Sequence, residues 1–297
     1  MKFLVTGGAG FIGSHLVRRL SAHGPVTVLD DLTTGKQDNL VGLDCAFLRG
    51  SILDPAPLAE ACAGATHVFH LAALVSVPES IAHPSRCQEI NIEGTRRVLA
   101  AAAHAGAQRV VLASSCAVYG DEPTMPKTET SAMAPTSPYA DSKLAAEKLC
   151  AQAMISTVAL RFFNVYGPRQ DPRGPYAAAV PKFLEAAQSG APLTVFGEGH
   201  QTRDFVYVED VTAAMEHAAL SPGMAGVYNV ASGRSVSVLQ LAELTLALTG
   251  LRSEIRHAPA RAGDILHSSA SIEKIRATGW QPRLDLEAGL RKILAGD

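Results

Sequence analysis

Short apolar runs alternate with longer amphipathic stretches through the first half of the chain. The runs typical of strands are 2–6, 26–30, 45–49, 66–71, 109–113 and 157–163. The stretches typical of helices are 11–22, 56–63, 88–105 and 138–153. Strands that are apolar on both faces and alternate with helices belong in a parallel sheet that helices cover on both sides. The sequence therefore predicts an α/β fold of Rossmann type, with a doubly wound parallel sheet.

The pattern changes after residue 165. Prolines and glycines crowd the next loop, and the strand and helix patterns beyond it are shorter. We therefore predict two domains: a Rossmann domain over residues 1–164 and a smaller α/β substrate domain over residues 165–297. Segment 205–230 is apolar enough to pack back against the first domain.

Composition excludes several classes of function. A net charge of −2 leaves no basic excess for a nucleic-acid or membrane surface. The five cysteines are scattered singly and the histidines lack ligand spacing, so neither a disulfide framework nor a metal site is indicated. No apolar run approaches the ~18 residues that cross a membrane. We expect a soluble, cytoplasmic protein with a small-molecule partner.

A glycine-rich turn follows the first strand and opens the first helix. Its sequence is Thr6-Gly7-Gly8-Ala9-Gly10-Phe11-Ile12-Gly13. Such glycines permit a tight turn and let the backbone approach a pyrophosphate, which then faces the helix N-terminus. Because a strand precedes the turn and a helix follows it, the turn predicts a dinucleotide site.

An acidic residue ends the second strand. A carboxylate at the position of Asp30 accepts hydrogen bonds from the adenosine ribose and repels a 2′-phosphate. Position 31 is Asp rather than the arginine that favours NADP. The sequence therefore predicts NAD as the cofactor.

Tyr139 and Lys143 lie four residues apart in a predicted helix, and hence side by side on one face. A tyrosine normally titrates near pH ~10. A lysine ammonium and a positive nicotinamide ring would stabilise the phenolate, which makes Tyr139 a candidate base. Ser114 and Ser115, at the end of a core strand, precede this pair.

In these motifs the chain resembles the extended short-chain dehydrogenases, the NAD-dependent epimerase/dehydratase family. The resemblance extends over nearly the whole chain. Besides the glycine turn and the Tyr139–Lys143 pair, it is carried by the segments 70–73 (HLAA), 90–92 (INI), 114–120 (SSCAVYG), 161–168 (RFFNVYGP) and 203–210 (RDFVYVED).

The resemblance implies a role for each matching residue. Tyr139 would be the acid/base, Lys143 its electrostatic partner, and Ser115 a hydroxyl that shares the substrate proton. Further cofactor contacts would come from Ser51, where many relatives carry Asp, and from Ile52, Leu71, Ala72, Ala73 and Asn91. Substrate contacts would come from Asn164, Arg203, Arg261 and Asp264 on the nucleoside diphosphate, and from Ser76 and Ser268 near the sugar.

The family's reactions diverge after oxidation at carbon 4 of the sugar. A 4,6-dehydratase would need Asp-Glu after the catalytic serine, and a decarboxylase would need Glu at the second position; here stand Cys116 and Ala117. The resemblance therefore implies a UDP-hexose 4-epimerase that accepts N-acetylated sugars because Ser268 is small. A uronic-acid epimerase, a net oxidoreductase and a non-catalytic NAD-binding regulator remain alternatives.

A homodimer is expected by analogy with the family, through helices 88–105 and 138–153. Both helices carry apolar or small residues on more than one face, and such faces must be buried against something. Those residues are Val98, Leu99, Ala102, Leu144, Ala145 and Leu149.

Overall fold

A computed structural model describes residues 1–173, 178–260 and 266–296. Seven strands form one sheet in the order β10-β6-β5-β4-β1-β2-β3, and every pairing is parallel. The prediction of a Rossmann-type parallel sheet is confirmed. The strands of this sheet are β1 Phe3–Thr6, β2 Val26–Asp30, β3 Ala46–Arg49, β4 His67–His70, β5 Arg109–Ser115, β6 Ser156–Phe162 and β10 Gly226–Val230.

Helices cover both faces of this sheet. The helices of the chain are α1 Phe11–Leu20, α2 Pro55–Cys62, α3 Val77–Ala82, α4 Pro84–Gln88, α5 Gly94–His104, α6 Pro138–Gln152, α7 Ala179–Ser189, α8 Val208–Leu220, α9 Val238–Thr249, α10 Glu273–Arg276 and α11 Leu286–Ala295. Of these, α7, α9 and α11 pack around a separate core away from this sheet. Alternate strand residues enter opposite cores: Phe3 and Val5 pack on one side, with residues of α1 and α8, and Leu4 packs on the other, with residues of α2 and α5.

The predicted helix 88–105 is divided. Helix α4 ends at Gln88, a wide turn with five-residue hydrogen-bond spacing covers Glu89–Glu93, and α5 begins at Gly94. Asn91 lies in that turn, and its side chain is bonded to groups outside the helix. Wide turns of this kind inside helices often accompany functional sites.

The second half of the chain contributes to both layers. Strand β10 extends the parallel sheet beside β6, and α8 packs against α1. The remaining strands make two small sheets, β11-β9-β7 and β12-β8. Their bounds are β7 Asn164–Tyr166, β8 Leu193–Phe196, β9 Thr202–Tyr207, β11 Ser235–Ser237 and β12 Ile255–Ala258. A separate apolar core, which includes Phe183, Leu193 and Leu241, holds this side together.

The helix faces that suggested a dimer are largely covered by the chain itself. Val98, Leu99 and Ala102 are buried in the core beneath α5, and Leu149 packs against the same core. Leu144 packs against the core on the other side. Because these side chains have partners within one chain, their apolar character does not by itself require a second copy.

The described residues contain neither a membrane-spanning helix nor a cluster of metal-ligating side chains. None of the helices in these ranges is both long and apolar enough to span a membrane. Nor does any group of three or more His, Cys, Asp or Glu side chains there have the arrangement of a metal site.

Candidate active site

A cleft of about 860 Å³ opens at the carboxyl ends of β1 and β4, where the strand order reverses. In open parallel sheets this switch point is where ligands bind. The cleft brings together most of the residues that the sequence singled out. Those that line it are Gly7, Gly10, Phe11, Ile12, Gly13, Asp30, Ser51, Ile52, Leu71, Ala72, Ala73, Ser76, Ser115, Tyr139 and Lys143.

The glycine turn forms a cradle with no room for side chains. Gly7 has a φ of +71°, and a Cβ there would lie 2.7 Å from the backbone nitrogen of Ala72. A Cβ on Gly13 would collide with the carbonyl oxygen of Gly7. Gly10 precedes α1 without a side-chain cap, so the first-turn N–H groups of α1 are open to an anion. The cradle fits the pyrophosphate of a dinucleotide.

The Asp30 carboxylate stands at the edge of the same cradle. Its oxygens accept hydrogen bonds from the backbone N–H groups of Ala9 (2.9 Å) and Leu32 (2.8 Å). Burial raises the pKa of the carboxyl, and the two N–H bonds lower it. A carboxylate has about four lone-pair sites, so two remain for ribose hydroxyls. The residues present therefore fit NAD.

Ser115, Tyr139 and Lys143 converge on the cleft from two elements. Ser115 ends β5, where its hydroxyl accepts from the N–H of Ala117 (3.2 Å) and hydrogen-bonds the Tyr139 phenol. Tyr139 and Lys143 lie in the first turns of α6. The Lys143 ammonium donates to the carbonyl of Ala113 (2.9 Å) and lies 5.8 Å from the centre of the Tyr139 ring.

Burial dominates the titration of this group. It raises the pKa of Tyr139 to about 12, against a smaller lowering by the hydrogen bond with Ser115. It also lowers the pKa of Lys143 to about 8. The phenol is therefore protonated at neutral pH in the protein alone, and a further positive charge beside it is needed to form the phenolate.

Asn91 lies behind the cleft rather than in its wall. Its carboxamide oxygen accepts from the N–H of Leu74 (2.7 Å), and its nitrogen donates to the Leu74 carbonyl (2.9 Å) and the Ser142 hydroxyl (2.9 Å). The side chain is only 3% exposed. These bonds position the loop at Leu74 against α6, and a contact of Asn91 with the cofactor stays a prediction.

Of the residues expected to bind substrate, Ser76 lines this cleft, whereas Asn164, Arg203 and Ser268 do not. Asn164 donates to the Asp204 carbonyl (3.3 Å), and Arg203 donates to the carbonyl of Thr202 (2.8 Å). Arg203 is close enough to Cys116 to lower the pKa of the thiol, although burial, the larger effect, raises it to about 12. The charge of Arg203 therefore lies near the residue that follows Ser115.

Ser268 is held beside Arg203 by main-chain contacts. Its N–H donates to the Thr202 carbonyl (3.2 Å), and its carbonyl accepts from the Ser235 hydroxyl (2.7 Å). The buried Asp204 carboxylate ties the neighbouring segments together through Ser232 and the N–H of Ala270. Arg261 and Asp264, the other expected substrate residues, lie outside the described residues.

Several residues of the cleft wall were not identified from the sequence. They are Thr33, Thr34, Lys36, Arg86 and Phe163, among others. Arg169, Gln170 and Asp171, which follow the segment 161–168 that carried the family resemblance, line the cleft as well. The Asp171 carboxylate pairs with Lys36 (3.1 Å) and with Arg173 (3.1 Å).

Comparison with known proteins identifies one family. The family model described as "NAD dependent epimerase/dehydratase family" matches residues 3–231. The chain is 38% identical over 307 residues to the UDP-glucose 4-epimerase of Mycolicibacterium smegmatis, covering 99% of this chain and 97% of the relative. It is also 37% identical to a UDP-N-acetyl-alpha-D-glucosaminuronate decarboxylase of Bacillus cytotoxicus, covering 99% of this chain and 96% of the relative.

Solved structures agree over the whole length. A UDP-N-acetylglucosamine 4-epimerase from Methanobrevibacter ruminantium, in complex with UDP-N-acetylmuramic acid, has a TM-score of 0.94 at 36% identity, covering 100% of this chain and 99% of that chain. The UDP-glucose 4-epimerase of Thermus thermophilus, in complex with NAD, has a TM-score of 0.90 at 38% identity, covering 98% of this chain and 97% of that chain.

Proposed function

Because the chain belongs to the NAD-dependent epimerase/dehydratase family, we propose that it interconverts UDP-hexoses that differ in configuration at carbon 4. It is an NAD-dependent enzyme, and the cleft at Gly7–Gly13 and Asp30 is the proposed place of the cofactor. The single observation that carries the proposed reaction is the Ser115–Tyr139–Lys143 group, in which Ser115 is followed by Cys116 and Ala117 rather than by carboxylates.

Each member of this group has a separate task in the proposed reaction. Tyr139 takes the proton of the sugar 4-hydroxyl while Ser115, bonded to the same phenol, shares it. Lys143 supplies positive charge that stabilises the phenolate. NAD, when bound, supplies the redox chemistry by accepting the carbon-4 hydride and later returning it. Return to the opposite face of a rotated 4-keto sugar inverts the carbon, and Tyr139 gives the proton back.

The residues after Ser115 argue against elimination and decarboxylation. An acid at position 116 or 117 would be needed to move further protons, and Ala117 has no such group. Burial raises the pKa of the Cys116 thiol to about 12, so the thiol stays protonated and is a poor base at neutral pH. The decarboxylase relative is as similar overall as the epimerases, so these two positions weigh more than identity does.

A uronic-acid substrate is the second candidate. Arg173, in the loop after β7, is a basic group that could meet a sugar carboxylate, but it is paired with Asp171 and exposed to solvent. The Asp171 carboxylate is also paired with Lys36, which keeps Arg173 at the adenosine end of the cleft and away from the sugar. We therefore rank neutral hexoses first and N-acetylated hexoses beside them, since Ser76 lines the cleft and Ser268 is small.

The test is direct assay of the full chain with NAD and UDP-galactose, with the appearance of UDP-glucose followed by NMR. Formation of UDP-glucose to a fixed equilibrium ratio is the expected result. UDP-glucuronate assayed in parallel distinguishes the second candidate. Release of carbon dioxide, or a product with a deoxygenated carbon 6, would refute the proposal.

We also propose a homodimer through α5 and α6, on family analogy alone. The expected outcome is the mass of two chains of 31.1 kDa by light scattering at micromolar concentration. A monomer mass would remove the proposal, and the burial of Val98, Leu99 and Ala102 within one chain would then be the complete explanation of those helix faces.

A further inference from the structure

The loop after β7 lies across one end of the cofactor cleft. It leaves the small sheet β11-β9-β7 and reaches the cofactor side of the molecule at residues 168–171. Its first anchor is His15 of α1, whose Nε2–H donates to the Pro168 carbonyl (2.9 Å). Burial lowers the pKa of His15 to about 4, so the neutral ring holds this bond throughout the physiological range.

Arg169 is the second anchor. Its guanidinium donates to the carbonyl of Asn39 (3.0 Å), and the Asn39 carboxamide donates to the carbonyl of Ala9 (2.8 Å). The N–H of Ala9 in turn donates to Asp30. A continuous set of contacts therefore places Arg169 beside the glycine turn, at the adenosine end of the cleft.

Arg169 has unused capacity and an unusual backbone. A guanidinium carries five N–H donors, and Asn39 is the one hydrogen-bond acceptor that Arg169 has among the described residues. Its φ is +67°, a left-handed conformation that non-glycine residues adopt uncommonly. Such outliers persist where the surroundings hold them, and they cluster at ligand sites.

Gln170, the next residue, also has an unused hydrogen-bonding group. The side-chain nitrogen of Gln170 donates to the Val165 carbonyl (3.1 Å). Its carboxamide oxygen is buried and has no hydrogen-bond partner among the residues that the structure describes. Gln170 also lines the cleft. A buried acceptor without a donor costs free energy unless a ligand supplies one.

The charges around Asp171 leave Arg169 as the cation free to meet a ligand at this end of the cleft. Lys36 lines the same end of the cleft but is paired with Asp171, and Arg173 is paired with the same carboxylate. Among these three described cations, Arg169 alone has no carboxylate partner.

We propose that Arg169 and Gln170 complete the dinucleotide site from the substrate side of the molecule. The Arg169 guanidinium binds the phosphate next to the adenosine ribose, and Gln170, bonded to the Val165 carbonyl, holds the loop beside it. The glycine turn binds the dinucleotide through backbone groups on one side, and this loop closes the site with side chains on the other. The proposal goes beyond the proposed reaction, since it concerns nucleotide binding whatever sugar is turned over.

The test is calorimetry of the full chain with NAD, ADP and adenosine. Arg169→Gln should weaken NAD and ADP binding tenfold to a hundredfold, as expected for a lost hydrogen bond to a charged group, about 1.5–3 kcal/mol. Adenosine, which has no phosphate, should bind within about twofold of the wild type. Arg169→Lys keeps the positive charge but not the planar guanidinium, so its affinities for NAD and ADP should lie between those of the wild type and the Gln variant. It provides the same measurement if the Gln variant does not fold.

Arg173→Gln is the matched control, because Arg173 is on the same loop, is exposed and does not line the cleft. It should bind all three ligands as the wild type does. Unchanged ADP binding in both Arg169 variants would overturn the proposal. So would an equal loss for adenosine and ADP, since Arg169 would then act by holding the loop. Neither result depends on turnover, so a failed epimerase assay leaves this test intact.

Discussion

The cofactor half and the substrate half of this active site are built by different means. The cofactor half consists mainly of backbone at strand ends: Gly7 follows β1, Asp30 ends β2 and Leu71 follows β4. The proposed substrate half would depend on side chains such as Asn164, Arg203 and Ser268, which come from separate strands and loops. A site built from closely packed backbone tolerates few changes of residue, and it therefore keeps one kind of ligand. A side-chain site can change its ligand through single substitutions, which suits a family that shares one cofactor and many sugars.

The largest expected effect concerns the group between the two halves. Tyr139→Phe should lower turnover by about 10²–10⁴-fold, because positioned acid/base groups contribute that much. Binding of NAD and of UDP should stay near the wild-type values, since only the phenolic oxygen is lost. Rates and calorimetric affinities measured on the same preparation check this. Tyr228→Phe, away from the cleft, is the control, and a Tyr139 variant with more than a tenth of the wild-type rate would point to another base.

A test of the cofactor half follows from Asp30. Two like charges ~4 Å apart repel by about 4 kcal/mol at an effective dielectric constant of ~20. NADP should therefore bind the wild-type protein on the order of a hundredfold or more weakly than NAD. Calorimetry with both cofactors measures the ratio. Equal affinities would mean that Lys36 and Arg169, at the same end of the cleft, outweigh the carboxylate.

The phosphate side of the substrate half is tested at Arg203. Arg203→Gln should raise the KM for UDP-sugars by about tenfold to a hundredfold, the usual worth of a hydrogen bond to a charged group. NAD affinity should not change, because Arg203 does not line the cofactor cleft. Arg234→Gln, an exposed arginine on the loop between β10 and β11, provides the matched control. If NAD and UDP-sugar affinities fell together, the two halves would not be separable.

The most selective effect is expected at Ser268. Overfilling a pocket costs about 1–3 kcal/mol, so Ser268→Tyr should lower kcat/KM for UDP-N-acetylglucosamine by about tenfold to a hundredfold and spare UDP-glucose. Ser268→Ala adds no bulk and should keep its kcat/KM for both substrates. The measurement is the ratio of the two kcat/KM values in each protein. An unchanged ratio, or a wild type inactive on the N-acetyl sugar, would contradict a role for Ser268.

The same contrast explains what the sequence could predict. All six predicted strands are present, with ends that differ by at most two residues, because apolar runs buried on both faces are locally encoded. The glycine turn and the carboxylate of Asp30 were recognisable since strand ends fix their position. The Tyr139–Lys143 pair was recognisable because helical spacing alone makes the two residues neighbours.

What the sequence did not disclose depends on contacts between distant segments. The break in helix 88–105 arises where Asn91 is bonded to Leu74 and Ser142, which no local pattern encodes. Helices α2 and α6 of the same chain pack against that helix, which its apolar faces alone did not reveal, and the homodimer stays a prediction. Arg169 reaches the cofactor cleft through a loop that the sequence assigned to the substrate domain. Each of these outcomes was set by tertiary packing rather than by residue preference.

The place of β10 has a consequence for how the protein is made. A ribosome completes β6 well before it reaches residues 226–230, and until then β6 is the open edge of a six-stranded sheet. Unpaired edges of this kind invite association with other chains, and nascent domains fold as units once their residues are available. The glycine turn is among the first segments synthesised, yet its sheet closes only after three quarters of the chain has emerged. The sheet that carries the proposed nucleotide cleft is therefore completed late in synthesis.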